Sequence, residues 1–177
     1  LIDNLRREVR NFEVKPTDIE LATVSSPFFN MSFIVAKSKG AVDWFNGSKL
    51  HNKLIGDAYY LNKHHIFPKA MLKKLGYYGT VDGKRRVNEI ANRAFLTERA
   101  NKQILSSKPT DYLPEVSRRY PGSLNQQMVT TNAEFWKEDN YGEFLKLRRR
   151  TIAEEINTFL KNILPKPLLF LILQLLF

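Results

Sequence analysis

Lys63-His64-His65-Ile66-Phe67-Pro68 is the stretch on which the fold turns. Upstream of it, Tyr59, Tyr60 and Leu61 join Ile66 and Phe67 to make Ala58 to Phe67 rich in the aromatic and branched side chains that favour a strand. Pro68 has no N–H to give to a ladder, so it ends that strand. Two of the three histidines in the chain therefore stand side by side at a strand terminus. Successive side chains of a strand point to opposite faces. His64 and His65 are thus expected to divide roles rather than share one, and metal ligand and general base are the two imidazole roles that suit such a division.

Working outward, Lys69 to Leu75 can form one short helix. Gly76 to Arg86, with Gly76, Gly79, Asp82-Gly83 and Lys84-Arg85-Arg86, reads as an exposed, positively charged loop. Val87 to Ala91 fits a helical turn and Arg93 to Leu96 a second short strand. Thr97 caps a helix expected from Glu98 to about Ser107, which Lys108-Pro109 stops. On that helix Asn101 precedes Ile104 and Leu105 by three and four positions. It should share their inward face, and a polar group aimed inward needs a partner.

The flanks read as scaffold. Leu1, Ile2, Leu5, Val9 and Phe12 recur at helical intervals, Ser26 to Ala41 predicts a buried helix, and Asn46-Gly47 marks a turn. After Pro114 and Pro121, Asn140 with Glu143 forms a capping pair for a long helix. Phe144, Leu145, Ile152, Ile156, Phe159, Leu160 and Ile163 line one of its stripes and Arg148-Arg149-Arg150 its other face. The expectation is a mainly α (α+β) protein: a helical scaffold over 1–57, a small two-stranded core over 58–119, a helical segment over 120–164 and an apolar tail over 165–177.

The chain has 177 residues and 43% hydrophobic composition, enough for one core. Without cysteine it can build no disulfide framework, thiolate zinc site or cysteine nucleophile, which suits a reducing cytoplasm. Lys and Arg number 28 against 18 Asp and Glu, a net charge of +10, so polyanions are natural partners. Of these, 13 Lys/Arg and only 5 Asp/Glu fall between Lys63 and Arg119. The excess sits where the histidine pair and the asparagines sit, which favours a nucleic-acid groove over a merely solvated basic face. Leu168 to Phe177 is apolar in nine positions of ten. Crossing a bilayer takes about 20 apolar residues and Pro165 and Pro167 block extension from the preceding helix, so no membrane anchor is expected. The start at Leu1, with no cleavable signal, predicts a fragment of a longer protein.

Hydrolysis of a phosphodiester needs an activated water, a cation to offset charge growing on phosphate and leaving oxygen, and something to hold the base in line. In this light the ordered set His64-His65, Asn92 and Asn101 resembles the HNH, or ββα-metal (His-Me finger), endonucleases. In that family a short strand ends in an acidic residue or histidine followed by the base histidine. A middle asparagine precedes the second strand, and a further ligand lies on the next helix. The resemblance implies that His64 and Asn101 are metal ligands, His65 is the general base and Asn92 fixes the loop. The nine residues from Asn92 to Asn101 match the family's spacing.

The similarity goes further. His64-His65-Ile66-Phe67-Pro68-Lys69, Val87-Asn88-Glu89-Ile90-Ala91-Asn92-Arg93, Leu96-Thr97, Asn101-Lys102-Gln103-Ile104 and Lys108-Pro109-Thr110-Asp111-Tyr112-Leu113 resemble the C-terminal nuclease region of the GmrSD-like type IV restriction proteins of bacteria. Ala41-Val42-Asp43-Trp44 and Tyr141-Gly142-Glu143-Phe144-Leu145 extend it to about residues 40 to 162. It implies a ββα-metal finger in the helical scaffold and a metal-dependent DNA endonuclease of an antiviral restriction system. Its partners would be double-stranded DNA, modified or not, and an N-terminal sensor or nucleotide-dependent domain of the same longer protein. Lys69, Arg85, Arg86, Arg93 and Lys102 are the candidate phosphate contacts.

Two departures matter. The first ligand is often acidic, and His64 in its place favours Mn²⁺, Ni²⁺ or Zn²⁺ relative to Mg²⁺. The 27 residues from His65 to Asn92 exceed what a minimal finger needs, which makes Gly76 to Arg86 an inserted loop. A basic nucleic-acid-binding module with a degenerate HNH site and a purely structural lobe are the rival expectations; metal-dependent nicking of plasmid separates them from the nuclease.

Overall fold

The computed structural model describes residues 12–50 and 61–163. The helix expected over Leu1 to Phe12, the first part of the strand expected from Ala58, and the apolar tail lie outside the described residues. Within them the protein is mostly helical with one two-stranded sheet, so the mainly α (α+β) class holds.

Strand β1 (Leu61–His65) pairs antiparallel with β2 (Arg93–Thr97), in a register that sets His64 opposite Ala94 and His65 opposite Arg93. Ala94, Phe95, Leu96 and Thr97 of β2 are all buried. Both faces of the ribbon are therefore covered, and a one-residue slip would exchange the environments of the two histidines. Thr97 closes β2 and opens the helix as expected, its Oγ1 accepting from the Ala100 N–H at 3.2 Å.

The connection between the strands departs from expectation. After α3 (Lys69–Lys74), the residues read as an inserted loop form a 3-10 turn, Tyr77–Gly79, and a helix, α4 (Val81–Asn88). Thr80 starts α4 by accepting from the Gly83 N–H at 2.9 Å. Gly83 sits there because a Cβ would lie 2.0 Å from the Tyr77 carbonyl oxygen. Close packing, not a turn, requires that glycine, whereas Gly76, at φ +84°, does supply the turn. Val87 belongs to α4 instead of a separate turn, Glu89 returns to extended backbone, and a 3-10 turn, Ile90–Asn92, leads into β2.

Helix α5 (Glu98–Ile104) stops short of Ser107 because Leu105 adopts φ +50° and ψ −118°. Leu105 is consequently 71% exposed and does not share an inward face with Asn101, whereas Ile104 is buried. Pro109 begins α6 (Pro109–Arg119), where a missing N–H costs nothing, and Pro114 is carried inside that helix on its exposed side. A short helix, α7 (Ser123–Gln126), follows.

Helix α8 (Tyr141–Ile163) is the spine. Its first turns pack Tyr141 and Phe144 against Phe67, each ring pair 4.9 Å apart, in a core shared with Trp44, Leu72 and Leu113. Its later turns add Ile152, Ala153 and Ile156 to a second core, with Ile19 of α1 (Pro16–Ile19), Phe29 and Val35 of α2 (Pro27–Ser38), and Phe95 of β2. The helix expected between Ser26 and Ala41 is α2. Both cores mix residues from before, within and after 58–119, so those boundaries separate no independent cores.

At the start of α8, Asn140 donates from Nδ2 to the Glu134 carbonyl and Glu143 pairs with Lys146. The arginine run corrects the expectation. Of the arginine run only Arg150 is exposed; Arg148 and Arg149 are 3% and 8% exposed. Arg149 lies between Glu89 and Glu20, at 2.6 and 2.8 Å. Arg148 meets no carboxylate among the described residues and donates to the carbonyls of Ala91, Gln127 and Met128. No helix among the described residues is long and apolar enough to cross a membrane.

Candidate functional site

The end of β1, the start of β2, and α5 bring the sequence-derived candidates together. His64 is 2% exposed, with Trp44 and Tyr112 presenting edge-to-face contacts at 6.5 and 5.8 Å between ring centres. Its Nδ1 lies 2.8 Å from Asn101 Oδ1 and its Nε2 3.4 Å from the Tyr112 hydroxyl. That hydroxyl donates to the Ile66 carbonyl at 3.0 Å, leaving its oxygen to accept. The imidazole thus has an acceptor on each side, and its proton can sit on either nitrogen. With the proton on Nδ1 the contact to Asn101 is a hydrogen bond; with the proton toward Tyr112, Nδ1 and Asn101 Oδ1 are two lone-pair atoms 2.8 Å apart. Bonds of about 2.1 Å set neighbouring ligands of an octahedral cation about 3.0 Å apart, close to the separation found. Burial, partly opposed by the Asn101 contact, lowers the pKa of His64 to about 4, so the ring is neutral, as a ligand must be.

No cluster of three His, Cys, Asp or Glu occurs among the described residues. The donor set at this point is one imidazole and one amide, without charge. Such a pair fits a cation that keeps water and takes further oxygens from a phosphate, and fits poorly a tightly caged structural ion.

His65 faces the other way, half-buried, as strand alternation requires. Arg93 donates from Nη1 to His65 Nδ1 at 3.2 Å and to the Lys63 carbonyl at 2.8 Å. Asn88 Oδ1 lies 3.3 Å from His65 Nε2 and 3.2 Å from Arg93 Nη2. Burial first, then the charges of Arg93 and Lys69, lower the His65 pKa to about 3. Arg93 is lowered to about 10 by its own burial and remains charged at neutral pH.

Asn92 is fully buried and clamps the turn after His65. Its Oδ1 accepts from the Phe67 N–H at 2.9 Å, and its Nδ2 donates to the carbonyls of Phe67 and Val87 at 3.1 and 3.0 Å. The Ile66 N–H donates to the Asn92 carbonyl at 3.0 Å. One residue therefore ties the end of β1 to the end of α4.

Of the five candidate phosphate contacts, Arg93 touches His65 and the charge of Lys69 acts on it. Arg85 and Arg86 are exposed on the last turn of α4, and Lys102 pairs with Glu98 at 2.6 Å; among the described residues no hydrogen bond joins these three to either histidine. Asn88 and Tyr112 received no role from the sequence, although both lie inside motifs quoted above. Their signal was position alone: each reaches a histidine only once α4 and α6 have folded. Compared with family models, curated proteins and solved structures, the chain finds no match in any of the three.

Proposed function

We propose that this protein is a metal-dependent DNA endonuclease built on a ββα-metal finger formed by β1, β2 and α5. The observation that carries the reading is the convergence of His64 Nδ1 and Asn101 Oδ1 at 2.8 Å, with His65 on the opposite face of the same strand end. A divalent cation, Mg²⁺, Mn²⁺, Ni²⁺ or Zn²⁺, held by that pair would supply positive charge against the phosphate and the leaving oxygen. His65 takes a proton from water as the water oxygen bonds to phosphorus. The bond from phosphorus to the 3′ oxygen breaks, and that oxygen takes up a proton from solvent. Asn92 keeps the segment after His65 from shifting, and Arg93 and Lys69 receive the phosphate. The basic stretch from Lys63 to Arg119 supplies attraction for double-stranded DNA. Action on modified DNA, within the cytoplasm and under an N-terminal sensor domain, belongs to the same proposal and rests on the family resemblance.

The test is supercoiled plasmid incubated with each metal, with and without chelator. Nicking that needs metal and falls by roughly 10²-fold or more in His65→Ala supports the reading; wild-type nicking by His65→Ala sinks it. One observation favours a second reading, a DNA-binding module without catalysis: both ring nitrogens of His65 are engaged, by Arg93 and Asn88. That reading predicts salt-sensitive binding with no cleavage under any metal.

A further inference from the structure

We propose that Arg93 is a latch on His65, which a phosphodiester opens by drawing the guanidinium onto itself, so that the histidine is uncovered only when substrate is present. This rests on the nuclease reading and adds its regulation.

A guanidinium has no lone pair, so in the contact between Arg93 Nη1 and His65 Nδ1 at 3.2 Å the histidine nitrogen must accept. The ring proton is then on Nε2, donated toward Asn88 Oδ1. Neither nitrogen keeps a lone pair open to water, and a base in this state cannot act. The latch is weakly held. Its acceptors are a carbonyl, an imidazole and an amide, all neutral. Arg93 pairs with no carboxylate among the described residues, and its Nε is buried without a hydrogen-bond partner. A phosphate oxygen carries the negative charge that the present neutral acceptors lack and so makes a full ion pair with the guanidinium, and the charge of Lys69, which already acts on His65, adds attraction for that anion. When Arg93 turns to the phosphate, Nδ1 is bare beside it. Asn88 still holds Nε2–H, so the ring keeps its orientation.

The test follows carbethoxylation of His65 by diethyl pyrocarbonate, resolved by peptide mass spectrometry in metal-free buffer without DNA. The reagent attacks an open imidazole lone pair, so its rate reports the latch and needs no catalysis. Wild-type His65 should react slowly. Saturating dimethyl phosphate should raise the rate about ten-fold, the factor set by losing one charge-assisted hydrogen bond, and sodium chloride at equal ionic strength should not. Arg93→Gln should react at the raised rate without phosphate. Should that variant fail to fold, Asn88→Ala, which loosens Arg93 and the ring together, should also exceed the wild type. Equal rates with and without dimethyl phosphate, or equal acceleration by chloride, overturn the proposal. Unchanged His65 reactivity in a protein that cuts DNA removes the latch and leaves the nuclease. A phosphate-released His65 in a protein that cuts no DNA keeps the latch and removes the nuclease.

Discussion

Asn92 uses its whole amide: one acceptor and both donors are bonded, at a position with no exposure. An aspartate there keeps the bond to the Phe67 N–H but sets a charged oxygen against the carbonyls of Phe67 and Val87, in a place where water cannot screen it. Asn92→Asp should therefore lose on the order of 3 kcal/mol of unfolding free energy in urea, and no less than Asn92→Ala loses. An aspartate variant as stable as the wild type would refute the clamp. The histidines teach a neighbouring lesson. Adjacent in sequence, they differ in burial and partners because alternation sends one ring under Trp44 and Tyr112 and the other to Arg93 and Asn88. That division was legible at once; which groups would meet each ring was not, because Asn88 and Tyr112 arrive from helices that no local pattern aims.

At the scale of elements, α4 carries the strongest prediction. Alanine is the better helix former than glycine by about 1 kcal/mol, yet Gly83→Ala places a methyl 2.0 Å from a backbone oxygen that cannot swing aside. The variant should be destabilised by roughly 1–3 kcal/mol in urea unfolding, and a gain in stability would show that the Tyr77–Gly79 turn gives way freely. The same glycine explains why α4 was unreadable. Asp82-Gly83 and three basic residues look like a turn when only the local chain is considered, and tertiary packing overrides that signal. Where sequence marks were mechanical, several held: Thr97 caps α5, and the apolar patterns predict both α2 and α8; the strand expected to run to Phe67 stops at His65 instead, and Pro68 precedes α3 rather than ending β1. Helix α5 ended early for a reason no propensity scale carries, the positive φ of Leu105.

Across the whole molecule, Arg148 is the tie between scaffold and site. Its guanidinium, fully enclosed and lowered by that burial to about 9, still carries its charge and spends it on three carbonyls, one of them Ala91, next to Asn92. Charge on an arginine run reads as surface in a sequence, and only the meeting of α8 with two distant turns makes it interior. Arg148→Met removes the donors and leaves those carbonyls dry, which should cost roughly 3 kcal/mol or more. Loss of that size should appear in thermal unfolding together with weaker protection of the Ile90–Asn92 amides in hydrogen exchange; unchanged protection would mean that α8 does not brace the site. Arg148 also orders events during synthesis. The histidine pair emerges from the ribosome long before residues 148 and 149, yet the turn that steadies it is finished by bonds to Ala91 and Glu89 made by those late residues. Until α8 docks, the nascent chain therefore holds the segment after the histidine pair without the bonds that Arg148 and Arg149 bring to it.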